Sequence, residues 1–134
     1  MLKRGQNSAV GNTGADVLTG GAGADVFKYT SISDSTTTQK DTIADFKTTD
    51  GDKIDLSAID AKVTAADAVP ATFVNDKFSD VILARGAAFT AAGQLRYNAV
   101  TKTLEGNTDA NLATVEFSVV LTGVTTIAAA DIIA

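Results

Sequence analysis

Apolar and polar residues alternate along the last third of the chain, and this alternation predicts β-strands. In TVEFSVVLTG the apolar face consists of Val115, Phe117, Val119 and Leu121. In QLRYNA the same face consists of Leu95, Tyr97 and Ala99. A weaker strand is predicted near Val81–Leu83, and short helical turns are predicted after the candidate N-cap Ser57 and within TTIAAADIIA. The chain is therefore predicted to be mostly β.

Near the N-terminus the apolar positions follow a period of nine residues. The segment GNTGADVLT, from Gly11 to Thr19, aligns with GGAGADVFK, from Gly20 to Lys28. Each unit carries an aspartate at its sixth position and a large apolar residue at its eighth position. These aligned residues are Asp16 and Asp25, and Leu18 and Phe27. Each unit is predicted to form a six-residue turn and a three-residue strand, with Leu18 and Phe27 pointing inward.

Successive turns of such a repeat lie on opposite edges of a flattened coil, so turns 18 residues apart stack on one edge. This spacing pairs the turn Gly11–Asp16 with Tyr29–Asp34, and the turn Gly20–Asp25 with Leu2–Asn7. Glycine allows a positive φ that aims backbone carbonyls at one point, and aspartate adds a carboxylate. An oxygen cage of this kind suits Ca²⁺, which takes six to eight oxygen ligands.

Composition removes several other classes of function. The 16 acidic and 11 basic residues give a net charge of −5, which argues against nucleic acid as a partner. The absence of Cys and His removes the usual zinc ligands and the Ser–His and Cys–His nucleophiles. Only carboxylate, Lys or Tyr chemistry remains, and a glycosidase-type carboxylate pair is the catalytic alternative considered. Because the aspartates are assigned to calcium, we expect no enzymatic activity.

Length and hydropathy define the expected organisation. The 134 residues suggest one domain, 1–134, with β-roll repeats (1–34), a calcium-binding cap (35–60) and a β-rich C-terminal secretion-signal region (61–134). No apolar run approaches the roughly 20 residues of a transmembrane helix, so we expect no membrane insertion. The first residues, MLKRGQNSAV, have no apolar core of a secretory signal peptide.

The segments GGAGADVFKYTSISDS, DTIADF and GDKIDLSAID together resemble the C-terminal domain of serralysin-type metalloproteases and related RTX proteins exported by type I secretion. A looser resemblance runs through AGQLRYNAVTKTLEGN to the terminal DIIA. The resemblance implies an all-β fold: a short parallel calcium β-roll, capped by a mostly antiparallel β region with short helical turns. It also implies an uncleaved C-terminal secretion signal.

Calcium ligands are carried over from the family where the motif matches. The resemblance implies that they are Gly11, Asn12, Gly14, Asp16, Gly20, Gly21, Gly23, Asp25, Asp34, Asp41 and Asp52. The secretion signal would be Asp131, Ile132, Ile133 and Ala134, an acidic residue followed by apolar ones.

Two segments depart from the family pattern. In the first unit Asn7 replaces the aspartate, and Leu2 and Lys3 replace the two glycines. In GNTDANLATVEF, Leu112 replaces the glycine that an EF-hand-like calcium loop needs, so a plain hairpin connection is expected there.

The expected function is a secreted calcium-binding RTX domain of a Gram-negative bacterium, which folds on Ca²⁺ outside the cell and is exported by an ABC transporter. An upstream passenger domain is a possible partner. One alternative is a module that binds acidic polysaccharide, similar to the R-modules of alginate epimerases, for which Lys3, Arg4, Lys28 and Tyr29 would supply the basic and aromatic stripe. Another is a surface-layer or structural module.

Overall fold

The computed structural model describes residues 8–10, 12–61, 77–78 and 82–134, and for 8–10 it describes the backbone only. The strands are β1 Ser8–Val10, β2 Val17–Leu18, β3 Val26–Lys28, β4 Asp41–Ile43, β5 Lys53–Asp55, β6 Ile82–Leu83, β7 Gln94–Asn98, β8 Thr103–Asn107, β9 Phe117–Leu121 and β10 Ile132–Ile133. In these ranges the helical segments are single 3-10 turns at Ile32–Asp34, Thr48–Asp50 and Ala129–Asp131. The predicted all-β class is confirmed. None of the helices in this part of the chain is long and apolar enough to span a bilayer.

The strands form two sheets that the chain visits in turn. The first sheet has the order β1-β3-β5-β10, and all its neighbours run parallel. The second sheet has the order β2-β4-β9-β8-β7-β6. Its first three strands are parallel, whereas β8 is antiparallel to both β9 and β7. From β1 to β5 each strand joins the opposite sheet from its predecessor, so this part of the chain winds as a parallel coil.

The C-terminal strands complete both sheets of this coil. Strand β9 pairs in parallel with β4 on one side and antiparallel with β8 on the other, so it joins the coil to the antiparallel hairpin. Strand β10 then crosses back and pairs in parallel with β5. The end of the chain is therefore the last strand of the first sheet.

The core lies between the two sheets and continues under the hairpin. Phe27 and Ile54 are opposite each other in the first sheet, Ile43 and Leu121 are opposite each other in the second, and all four are fully buried. Leu18 packs against this core, while its neighbour Val17 is 71% exposed. This is the inward and outward alternation that the nonapeptide pattern predicts.

The predicted alternation is present in β7, whereas in β9 the apolar residues Phe117, Val119 and Leu121 are buried together with Ser118, and Val115 lies before the strand. Leu95 and Tyr97 of β7 are buried, whereas Ala99 lies beyond the strand end and is exposed. The turn after Ser57 is a single hydrogen-bonded turn, closed by Ile59 N–H donating to Leu56 O at 3.0 Å. Strand β8 lacks a clear apolar alternation and is not predicted by pattern, yet it pairs with strands on both sides.

Candidate metal centre

The turns of the coil stack on two opposite edges. The turn before β2 and the segment 29–40 before β4 share the first edge. The turn 19–25 before β3 and the segment 44–52 before β5 share the second edge. Each edge therefore gathers aspartates from segments that are distant in sequence.

The 18-residue period holds for the first pair of strands and then fails. Ser8 is opposite Val26, 18 residues on, but Val17 is opposite Thr42, which is 25 residues on. The expected register of Asp34 with Asp16 is therefore wrong, and Asp41 takes that place. The cause is the longer segment 29–40, which contains the 3-10 turn Ile32–Asp34.

Asp41 is the centre of the first-edge cluster, which we define as Asp16, Tyr29, Asp34 and Asp41. The backbone N–H of Asp16 donates to Asp41 Oδ1 at 2.8 Å, and Thr42 N–H donates back to Asp16 O at 2.8 Å. Asp41 is fully buried, and its Oδ2 has no hydrogen-bond partner among the described residues. A buried carboxylate oxygen of this kind favours a cation or a proton beside it.

Ser35, in the segment 29–40 before β4, connects the backbone of Asp41 to strand β9. Ser35 is fully buried, and its Oγ accepts a hydrogen bond from Asp41 N–H at 2.9 Å and donates to Ser118 O on β9. Ser118 N–H in turn donates to Ser35 O at 3.0 Å. Strand β9 therefore holds the backbone that presents the Asp41 carboxylate.

Asp34 closes its own loop on the same edge. Its Oδ2 accepts hydrogen bonds from Thr30 N–H at 2.9 Å and from Ser31 N–H at 3.0 Å, which caps the 3-10 turn. Asp34 is only 7% exposed, and its negative charge acts on Asp41. The loop thus places a third carboxylate near the pair Asp16 and Asp41.

The second-edge cluster, defined as Asp25, Asp45 and Asp52, has the same hydrogen-bond pattern as the first. Asp25 N–H donates to Asp52 Oδ1 at 2.9 Å, and Lys53 N–H donates to Asp25 O at 2.8 Å. Asp52 Oδ2 accepts from Lys47 N–H at 2.8 Å. Asp25 and Asp52 are both almost fully buried.

Asp45 belongs to this edge, although sequence reasoning does not identify it. Its Oδ1 and Oδ2 accept hydrogen bonds from Gly20 N–H at 2.9 Å and Gly21 N–H at 2.8 Å, respectively. The second aspartate of DTIADF is the only sequence signal for this residue, and it has no equivalent in the nonapeptide. Its position depends on the register between segments 19–25 and 44–52, which the nine-residue period does not give.

The remaining predicted ligands are backbone groups of the two glycine turns. Gly14 and Gly23 occupy equivalent positions of the repeat and have φ values of 122° and 110°, which side-chain-bearing residues rarely adopt. Asn12 and Gly23 are exposed on the first and second edge, respectively. Gly11 lies outside the described residues, as do Lys3, Arg4 and the segment Leu2–Asn7.

Burial and like charges act on the central carboxylates of both edges. Burial is the main cause that raises the pKa of Asp41 to about 6, and the charges of Asp16 and Asp34 add to it, against the hydrogen bond from Asp16. Burial also raises the pKa of Asp52, with further contributions from the charges of Asp25 and Asp45. Each edge thus concentrates negative charge on a poorly solvated carboxylate.

The donor set fits a site with few carboxylates and several carbonyls. Within the described ranges no group of three or more Asp or Glu side chains forms a ready-made metal cage. The expected calcium site does not need one, because it combines one carboxylate from each of two turns with turn carbonyls. Asp16 and Asp41 come from two neighbouring turns of the first edge, joined by the hydrogen bond from Asp16 N–H to Asp41 Oδ1, and Asp41 Oδ2 is an unsatisfied oxygen there.

The predicted secretion signal lies at the end of the first sheet. Ile132 is opposite Ile54 and packs against the core, and Leu56 N–H donates to Ile133 O at 2.7 Å. Asp131 Oδ2 accepts a hydrogen bond from Ala128 N–H at 2.8 Å. The last four residues are therefore part of the fold.

The EF-hand-like segment is held by protein groups. Asn107 is fully buried, and its Nδ2 donates to Asn111 O at 2.9 Å and Thr114 O at 3.1 Å. Asp109 Oδ1 accepts from Asn111 N–H at 2.7 Å. The Asn107 Nδ2 group thus satisfies two loop carbonyls, while Asn107 Oδ1 is buried with no hydrogen-bond partner among the described residues. The plain hairpin connection without calcium stays a prediction.

Comparison with known proteins identifies one family over nearly the whole chain. The model of the family described as the peptidase M10 serralysin C terminal matches residues 6–134. No curated protein matches the chain. The matched range includes both edges of the coil, the antiparallel hairpin and the terminal strand. The chain therefore belongs to the serralysin C-terminal family.

Proposed function

We propose that this domain binds Ca²⁺ at the edges of its coil and folds on binding. The observation that carries the proposal is the pair Asp16 and Asp41, joined by a 2.8 Å hydrogen bond and leaving Asp41 Oδ2 buried without a partner. The ion pairs among the described residues, Lys47–Asp50 and Arg96–Glu105, do not involve these aspartates. A bound cation would supply the missing positive charge.

Membership of the serralysin C-terminal family also supports calcium-dependent folding. The matched family is the C-terminal, non-catalytic part of serralysin-type peptidases, and such domains belong to secreted proteins. Calcium is scarce in the cytosol and plentiful outside the cell. We therefore propose that the domain remains loose before export and folds afterwards, when the binding free energy of calcium becomes free energy of folding.

We assign the ligands by edge. On the first edge they are Gly11, Asn12, Gly14, Asp16, Asp34 and Asp41. On the second edge they are Gly20, Gly21, Gly23, Asp25 and Asp52. Glycine and asparagine positions would contribute backbone carbonyls, and the aspartates would contribute carboxylates. Bound calcium would neutralise the repulsion between carboxylates of neighbouring turns.

The last four residues, Asp131–Ala134, are proposed to be the signal that the type I export machinery reads. Ile132 and Ile133 pair with β5 in the folded domain, so this segment is free for a transporter only while the chain is unfolded. A domain that folds only after export would keep this signal available inside the cell. Calcium-dependent folding and a folded C-terminal signal are thus compatible.

Polysaccharide binding receives no support from the side chains that were its candidates. Tyr29 is 0% exposed, so its ring cannot stack on a sugar at the surface. Lys28 is only partly exposed, and Lys3 and Arg4 lie outside the described residues. The surface-layer alternative stays a prediction.

Calcium is expected to stabilise the domain strongly. At a free calcium concentration 100 times the dissociation constant, one site adds about 2.7 kcal/mol to the free energy of unfolding. For a chain of this size that corresponds to a rise of roughly 10 °C in Tm. Differential scanning calorimetry of calcium-stripped protein, with and without added calcium, measures the rise. Magnesium at the same concentration is the control, and equal Tm values in all three samples would contradict the proposal.

The calcium-free domain is expected to lose stability as pH rises from about 4 to about 6. The pKa of Asp41 is raised to about 6 and that of Asp52 is also raised, so the folded state holds protons that the unfolded chain has already released. The free energy of unfolding therefore falls across this window. With calcium the sign reverses, because the ion needs the deprotonated carboxylates. Tm values at pH 4.5 and 7.5, with and without calcium, test this; parallel pH profiles would refute it.

A further inference from the structure

Tyr29 follows β3 directly and is fixed in the interior of the coil. Its backbone N–H donates to Asp55 O at 2.9 Å, and its ring meets the Phe117 ring edge-on, with centroids 5.1 Å apart. The residue is 0% exposed. The backbone and ring of Tyr29 are therefore held in place by two independent contacts.

The hydroxyl of Tyr29 is buried without a well-formed hydrogen bond among the described residues. This is unusual, because buried tyrosine hydroxyls normally find a partner. The other tyrosine of the chain follows the rule, since Tyr97 Oη donates to Val124 O at 2.7 Å. Tyr97, whose hydroxyl is hydrogen-bonded, therefore serves as an internal control for Tyr29, whose hydroxyl is not.

The surroundings of the Tyr29 hydroxyl are acidic. Burial raises the pKa of Tyr29 above its ordinary value, and the charge of the neighbouring Asp41 carboxylate raises it further. Asp16 and Asp34 add to the effect. A phenol is neutral at physiological pH even at its ordinary pKa, so the Tyr29 hydroxyl can donate a hydrogen bond to a carboxylate.

Two unsatisfied buried atoms belong to interacting residues in this cluster, Tyr29 Oη and Asp41 Oδ2. Asp41 Oδ1 is already held by Asp16 N–H at 2.8 Å. A carboxylate oxygen has two lone pairs, so Asp41 Oδ2 can accept a hydrogen bond and still contact a cation. A donor to Oδ2 would fix the orientation of the carboxylate. Among the second-edge carboxylates, Asp52 receives its two hydrogen bonds from backbone N–H groups.

We propose that Tyr29 is a positioning residue of the first-edge calcium site, whose hydroxyl donates to Asp41 Oδ2 in the calcium-bound domain. The inference rests on the proposed calcium function. On the first edge, the second hydrogen bond to the central carboxylate would come from a side chain. On the second edge, it comes from the backbone N–H of Lys47. Tyr29 therefore contributes to the geometry of the site without binding the ion.

Tyr29→Phe keeps the ring and its packing on Phe117 while removing the donor. We expect the calcium affinity of the first edge to fall about tenfold, as for a lost hydrogen bond to a charged group. The calcium-free stability should stay equal or rise, because the variant also removes an unsatisfied buried hydroxyl. A residue with a merely structural role would lower the calcium-free stability instead.

Isothermal titration calorimetry with calcium and near-ultraviolet difference absorbance of the full chain test the proposal. On calcium addition, a tyrosine absorbance shift to the red is expected in the wild type. The shift should be larger in Tyr97→Phe, which keeps Tyr29, than in Tyr29→Phe, where only the burial of Tyr97 contributes. Calcium binding with unchanged affinity in Tyr29→Phe, or with no tyrosine shift in the wild type, would overturn the role of Tyr29. Failure of the wild type to bind calcium in calorimetry would instead overturn the proposed function. Should Tyr29→Phe not fold, the spectra of the wild type and Tyr97→Phe still decide the question.

Discussion

Asp41→Asn is expected to invert the response of the domain to calcium. Without calcium at pH 7.5 the variant should be more stable than the wild type by about 3 kcal/mol, because it removes a buried charge whose pKa is raised to about 6. With calcium at about 1,000 times the dissociation constant, where one site adds about 4 kcal/mol, it should be less stable than the wild type. The same substitution thus stabilises one state and destabilises the other.

The geometry at Asp41 explains both halves of this expectation. Asparagine keeps an oxygen that can accept the hydrogen bond from Asp16 N–H, so the register of β2 with β4 is preserved. It has no negative charge with which to bind an ion, and the first edge would lose a central ligand. The stabilisation by calcium should therefore shrink to that of the second edge.

Urea denaturation with and without calcium measures the inversion directly. Asp50→Asn is the matched control, because Asp50 is exposed and makes one surface ion pair with Lys47 at 3.8 Å. Such pairs contribute about 0–1 kcal/mol, so this control should follow the wild type in both conditions. Equal calcium responses of Asp41→Asn and the wild type would show that Asp41 is not a ligand.

The nonapeptide predicts the local structure of the first coil because its information is local. Glycine positions determine the positive φ values at Gly14 and Gly23, and the eighth position of each unit directs Leu18 and Phe27 inward. These features depend on neighbours within a few residues. They are therefore readable from a single sequence.

The register beyond the second repeat is not local, and the sequence does not reveal it. The segment 29–40 is rich in Ser and Thr and has no apolar period, so its length alone does not predict that Asp41 replaces Asp34 beside Asp16. The same limit hides Asp45, whose contacts with Gly20 and Gly21 exist only in the final register.

Strand β8 and the pairing of β10 were hidden for a related reason. Thr103, Leu104, Gly106 and Asn107 are all buried, so β8 has no polar face that would produce an alternating pattern. Strand β8 pairs with β7 along one edge and with β9 along the other, and these pairings are known only from the fold. Likewise, DIIA reads as a short apolar end, and only the fold shows that it extends the first sheet beside β5.

Deletion of Asp131–Ala134 is expected to reduce export of a fused passenger at least tenfold. In the proposed function these residues are the signal for the transporter, so their loss removes recognition before folding begins. The deletion also removes β10 from β5 and uncovers the core where Ile132 packs. We expect a loss of about 2–3 kcal/mol in the free energy of unfolding, from lost apolar burial and backbone hydrogen bonds.

Two effects of this deletion must be separated, because a less stable domain could itself lower the amount of secreted protein. Leu104→Ala is the matched control, since Leu104 is fully buried on β8 and its truncation should cost about 2–5 kcal/mol while leaving the terminus intact. Export is measured as the fraction of passenger in the medium, with total passenger counted in cells and medium together. The signal hypothesis expects normal export of Leu104→Ala and failure of the deletion. Equal export of the two variants would mean that the terminal strand acts through folding alone.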